Sequence, residues 1–188
     1  MIGKKNVVFG FLYLVLTAAL GPYMVTQFGT VATAEGARQK ALAALQGMAA
    51  SGFTDPATLE TLTPAQLARI NARALLAVND ALTARAPIDA IKGGPHTHGN
   101  LESLLNIAVG LTLCFTAGAV WLRQLVSWAF IAGALLHSGM LYLGIVFQFA
   151  WARTVLDTGI GPALILAGLL LAGIATAIGL RGEPVRDT

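Results

Sequence analysis

Charge is what this chain lacks most. Of its 188 residues only 11% are Asp, Glu, Lys or Arg, while 56% are apolar and the mean hydropathy is +0.71. A soluble domain carries about 25% charged residues, so a water-exposed globule is excluded. Cysteine is nearly absent as well: the single Cys114 excludes an intramolecular disulfide framework. Aromatics are scarce, and Phe53 is the only one between residues 31 and 95. A small segment so poor in bulky side chains cannot build a core of its own. No Gly-rich phosphate loop, zinc-type Cys/His spacing or serine-nucleophile motif occurs, which sets aside soluble-style nucleotide and hydrolase chemistry. No basic stripe interleaves with aromatics, so no nucleic-acid partner is expected.

What is present are four charge-free windows, Asn6–Ala34, Ser103–Leu122, Gln124–Ala152 and Thr158–Leu180. Each exceeds or matches the ~20 residues that cross a ~30 Å hydrocarbon core. The expected fold is all-α: a polytopic four-helix membrane bundle with an extra extramembrane helical hairpin between spans 1 and 2. Residues 1–30 form the first span, 31–95 the hairpin, and 96–188 the remaining spans at about 99–122, 125–150 and 159–180. Ala32-Thr33-Ala34 resembles a signal-peptidase site. The apolar stretch Val7–Phe28 is longer than an ordinary signal core, however, and a retained helix is the expectation.

With four spans, Lys4, Lys5, Arg123, Arg181 and Arg186 fall on one side, and the short loop Trp151–Thr158 on the other holds only Arg153. Positive residues stay inside. Both termini are therefore expected in the cytoplasm, with residues 31–95 outside the inner (cell) membrane.

Within the hairpin, Ala41, Leu42, Leu45 and Met48 share one helical face, and Leu67, Ile70, Ala74, Leu75, Val78 and Leu82 recur on another. Thr63-Pro64-Ala65-Gln66 reads as a capping box with proline at the first helical position. Asp55-Pro56 is expected to open a short helical turn, and Gly93-Gly94-Pro95 to break the chain. The pair of helices is expected to rest on the bundle, on a neighbouring subunit or on lipid. Gly21-Pro22 should kink the first span. Gly168, Ala172, Gly173, Thr176 and Ala177 give the last span small-residue spacing, which suits close packing within the chain or a homo-oligomer seam.

Function is expected where polar groups interrupt the apolar spans, because lipid offers them no water. His98, Glu102 and Asn106 lie four apart and form one stripe on the second span. The third span carries His137 and Tyr142. Counted from the outer ends, Asn106 and Tyr142 stand at similar depth and His137 lies deeper. That predicts a pocket walled by Asn106, Tyr142 and His137 with His98 and Glu102 at its mouth. It also makes His98 and His137 too offset for one shared ligand plane. His96 and His98, two imidazoles just after Gly-Gly-Pro, have the chemistry to ligate a metal or haem iron, or simply to sit in interfacial water.

Leu101-Glu102-Ser103-Leu104-Leu105-Asn106 resembles the segment shared by hydroxylaminobenzene mutases and styrene oxide isomerases, small four-span membrane proteins with a His six residues before the Asn. Gly139-Met140-Leu141-Tyr142-Leu143 is similar to their Gly-x-x-Tyr-Leu stretch, and the last span is likewise rich in Gly and Ala. The resemblance implies a haem b held by an axial His, with ferric iron acting as Lewis acid on an epoxide. Asn106 and Tyr142 would then hold a small apolar substrate, with Glu102 beside them. The axial position falls on Asn100, however, so the ligand would have to come from His98 or His96; His137 has no counterpart. Two other functions fit the same residues: a b-type cytochrome subunit with haem clamped by His98 and His137, or a non-catalytic accessory subunit of a membrane complex whose outer hairpin docks a partner.

Overall fold

A computed structural model of the chain describes residues 1–55 and 58–185. Pro56, in the expected Asp55-Pro56 turn, and Arg186, one of the cytoplasmic charges, lie outside them. The described residues are helical, without a β-strand. They divide into two compact units, one of Met1–Tyr23 with Ala90–Thr188 and one of Met24–Asp89.

In the larger unit, α1 (Gly3–Ala18) packs along α4 (Thr97–Cys114). The next helix, α5 (Val120–Ala134), passes through a π-helical turn at Leu135–Gly139 into α6 (Met140–Ile145). It lies against α4 on one side and against α8 (Ile160–Gly179) on the other. Between α6 and α8 stands the short α7 (Ala150–Asp157), entered through Gln148 at φ 58° and left through Gly159 at φ 67°. Only Gly takes that left-handed conformation without steric cost.

Small residues let the backbones approach. A Cβ on Gly99 of α4 would stand 2.3 Å from Thr17 Cγ2 of α1, and one on Gly110 would stand 2.7 Å from the Gly3 carbonyl. Close packing is what holds helices together in lipid, where burial of apolar area gains little. The core between α4, α5 and α8 is Val109, Leu113, Val126, Phe130 and Ile165.

The smaller unit contains most of α2 (Leu20–Ala50) and of α3 (Pro64–Ile91). Ala19, between α1 and α2, keeps a right-handed helical backbone (φ −59°, ψ −19°), and Pro22 removes one N–H from the hydrogen-bond ladder at that junction. Thr63 and Gln66 form the capping box: Gln66 Oε1 accepts from the Thr63 N–H at 2.8 Å, and Thr63 Oγ1 accepts from the Gln66 N–H at 3.3 Å. As expected, the helix breaks at Gly93-Gly94-Pro95: within Lys92–His96 the backbone of Gly94, at φ −105° and ψ −110°, is non-helical and makes a kink before α4.

Among the described residues three helical stretches are long and apolar enough to cross a membrane: Gly3–Ala50, Val120–Ile145 and Ile160–Gly179. Helix α4 is not among them, since His98, Asn100, Glu102 and Asn106 dilute its apolar run. It ends at Cys114, and the third helical stretch ends at Ile145, short of the expected 122 and 150. After Cys114 the turn is fastened to the end of α8, with Ala117 N–H donating to the Gly179 carbonyl at 2.7 Å. Beyond Ile145 the chain folds back, and the Phe149 N–H donates to the Leu143 carbonyl at 3.1 Å.

Candidate functional site: a carboxylate between two imidazoles

The early end of α4 at Cys114 corrects the depth count. Measured from the turn between α4 and α5, His98 and His137 lie at nearly the same height, because α4 ends well before residue 122 and α5 begins at Val120. Their rings meet, with centroids 4.8 Å apart and planes tilted 60°. The expected offset between the two is therefore overturned.

Glu102, one turn along α4 from His98, bonds the second of these imidazoles. It is 4% exposed, and its carboxylate Oε1 lies 2.5 Å from His137 Nδ1. Its other oxygen, Oε2, accepts from the Ser138 hydroxyl at 2.5 Å and from the Ser138 N–H at 3.4 Å. The two residues that grip Glu102 sit in the π-helical turn. A π-turn widens the helix by one residue and so brings both His137 and Ser138 onto the face that meets α4. Tyr13 of α1 completes the chain, its hydroxyl 2.9 Å from Ser138 Oγ. A buried carboxylate is costly unless its oxygens are occupied, and here both are.

His98, Glu102 and His137 each offer a ligand atom within 4.8 Å of the others. His98 and Glu102 share a face of α4 by their four-residue spacing. Among the described residues this is the one group with the donors for a metal ion.

The other expected site residues lie elsewhere. Asn106 is fully buried, and its amide is spent on helix packing. Its Oδ1 accepts from Asn6 Nδ2 at 3.0 Å, and its Nδ2 donates to the carbonyls of Glu102 at 3.0 Å and Phe130 at 3.2 Å. Tyr142 turns its ring to Phe147, centroids 5.8 Å apart; no hydrogen bond among the described residues joins it to Asn106. His96 points Nδ1 at the Thr17 carbonyl, 3.0 Å away. Asn100 accepts from Thr17 Oγ1 at 2.8 Å.

Sequence reasoning missed the contribution of α1. Gly3, Asn6, Gly10, Tyr13 and Thr17 are its buried residues, and they recur at steps of three and four. A stripe of small and polar residues on an apolar helix was the signal. Asn6 Nδ2 also donates to the Ser127 carbonyl at 3.0 Å, and Ser127 Oγ donates to Asn6 Oδ1.

A haem b, implied by the resemblance above, asks for an imidazole facing an open slot. The matching position, Asn100, is an amide bonded to Thr17, and the seam between α1 and α4 is closed to within the width of a methyl group at Gly99. Two imidazoles in ring contact leave no room for a macrocycle between them. The donors suit one small cation better than a porphyrin.

No protein family, curated protein or solved structure matches this chain.

Proposed function

We propose that this chain is a four-span integral membrane protein that isomerises a small, apolar, oxygen-bearing substrate drawn from the lipid. In this reading α4 is the fourth crossing. Its polar residues are tolerated because neighbouring helices satisfy them. Both termini face the cytoplasm, residues 31–95 lie outside, and the host is the inner (cell) membrane. Retention of Lys4, Lys5 and Arg181 at one end supports this orientation.

The observation that carries the chemistry is the buried His137–Glu102 contact of 2.5 Å with the His98 ring alongside. Ionisable groups inside a membrane bundle mark substrate or proton sites. For an epoxide-type substrate the pair does balanced work. A proton passes from the pair to the ring oxygen, and one C–O bond breaks. The hydrogen on the carbon that keeps the oxygen then moves, with its electron pair, to the carbon that lost it. The hydroxyl proton returns to the pair as the carbonyl forms. Nothing is oxidised or reduced overall.

The test is incubation of nanodisc-embedded protein with aryl and alkyl epoxides, with aldehyde measured by chromatography. Aldehyde formation that disappears in His137→Ala and Glu102→Gln is expected. Absence of aldehyde from the parent, or parent-like rates in both variants, overturns the reading. A Soret band in the purified protein that vanishes in His98→Ala would return haem to the site.

One observation favours a second reading, an accessory subunit. In the smaller unit Val25, Phe28, Leu75, Leu76 and Leu82 are exposed, which gives it apolar surface for a partner. A well-folded protein inactive on every substrate offered would leave that reading standing.

A further inference from the structure

We infer that His98, Glu102 and His137 together hold one divalent transition-metal ion of the zinc or ferrous-iron class, with a coordination position left open. The inference deepens the isomerase reading of the same centre, yet the two fail separately.

Two neutral imidazoles and one carboxylate are the donor set of catalytic zinc and of facial non-haem iron sites, which keep an open position for water or substrate. Hard cations such as calcium prefer six to eight oxygens, and this pocket offers two from Glu102. The three ligand atoms lie within 4.8 Å of one another. Around a tetrahedral ion bound at 2.0–2.1 Å such atoms stand roughly 3.3 Å apart, so side-chain rotation would bring His98 inward and open the 2.5 Å contact of His137 with Glu102. The ion would take the place of the proton between His137 Nδ1 and Glu102 Oε1 and would supply, as a Lewis acid, the positive charge that this proton otherwise brings to a substrate oxygen.

The surroundings are arranged as outer partners of a metal site are. Such partners fix the orientation of the ligands. Ser138 holds Glu102 Oε2 through both its hydroxyl and its N–H, which leaves Oε1 as the ligating oxygen. Tyr13 in turn fixes Ser138. His98 and His137 are both half-buried, and His98 is the one ligand with no hydrogen bond to Glu102 among the described contacts.

The experiment uses full-length, tag-free protein stripped with chelator and reconstituted in nanodiscs. Titration with Co2+ alone is expected to give visible bands that saturate at one equivalent and are quenched by Zn2+. His98→Ala, Glu102→Gln and His137→Ala should each weaken binding on the order of 100-fold, and Ser138→Ala by about 10-fold. His96→Ala, whose parent imidazole faces the Thr17 carbonyl, should bind like the parent. X-ray absorption of the Zn2+-loaded parent, which needs no variant to fold, should report two imidazoles and an oxygen. Parent-like binding in His98→Ala and His137→Ala, loss of binding in His96→Ala, or a shell without imidazole overturns the inference. Metal bound without epoxide turnover overturns only the isomerase reading; an isomerase that binds no metal overturns only this inference.

Discussion

Asn6 and Asn106, one hundred positions apart in the chain, share a hydrogen bond of 3.0 Å between α1 and α4. Both side chains are fully buried, and each also bonds a carbonyl of α5, Asn6 to Ser127 and Asn106 to Phe130. The pair thus ties three helices at one level, a turn beneath Glu102. Interhelical hydrogen bonds in membranes contribute about 0.6 kcal/mol on average and up to about 1.7, and a partner stranded without water adds its own cost. Asn106→Ala should therefore destabilise by about 1–2 kcal/mol. The double variant Asn6→Ala/Asn106→Ala should lose less than the sum of the singles, as read by unfolding in mixed micelles. Strict additivity would show that the contact contributes nothing.

Gly99 and Gly173 make opposite predictions for the same substitution. A Cβ at Gly99 would meet Thr17 Cγ2 at 2.3 Å, whereas one at Gly173 meets nothing within 4 Å. Gly99→Ala should destabilise by about 1–3 kcal/mol through overpacking, and adding Thr17→Ser should recover part of it. Gly173→Ala should leave stability unchanged or raised, since Ala is the better helix former. Melting curves of the three proteins decide; a loss at Gly173 would place a neighbouring molecule against α8.

The order of effects along Tyr13, Ser138 and Glu102 follows from who touches the carboxylate. Ser138→Ala removes the hydroxyl bond to Oε2 and should lower turnover by about 10-fold. Tyr13→Phe keeps that bond and removes only its support, so its effect should be smaller. Both should leave the apparent affinity for substrate nearly unchanged. A Tyr13→Phe defect larger than that of Ser138→Ala would mean that Tyr13 reaches the substrate itself.

In the smaller unit the Arg38 guanidinium hydrogen-bonds both carboxylate oxygens of Glu35, with Nε at 3.0 Å from each. This bond holds the Glu35 carboxyl below its ordinary value. Because the folded value is the lower one, the contribution is present above the unfolded carboxylate range and is lost as pH falls through the folded value. An NMR titration should find Glu35 below the usual ~4.3, returning to it in Arg38→Ala. Overall stability should barely change, since exposed pairs three residues apart contribute little. An unshifted Glu35 in the parent would show that the pair does not persist in solution.

Much of the site's content was legible in the chain. Glu102 and His98 lie four apart, and that spacing alone puts them on one helical face. Their cost in lipid singled them out as candidates before any geometry was known. The position of His137 was not legible. Its level relative to His98 depends on where α4 ends and α5 begins, and the turn after Cys114 has no proline or charge to announce it. The π-helical turn that aims His137 and Ser138 at α4 leaves no sequence mark either, because it is set by packing against α4 and α8. The roles of Asn106 and Asn6 were hidden for a related reason: a polar residue in a span needs a partner, but sequence cannot say whether that partner is a substrate or another helix.

The sequence by itself determined that this is a helical chain with apolar stretches of membrane length, because the scarcity of charge and the 3.6-residue period need no tertiary information. Tertiary structure alone decided which polar groups meet. Helix ends, a π-turn and glycine-close seams set heights and rotations, and a shift of one turn, about 5.4 Å, separates an imidazole that touches Glu102 from one that faces lipid.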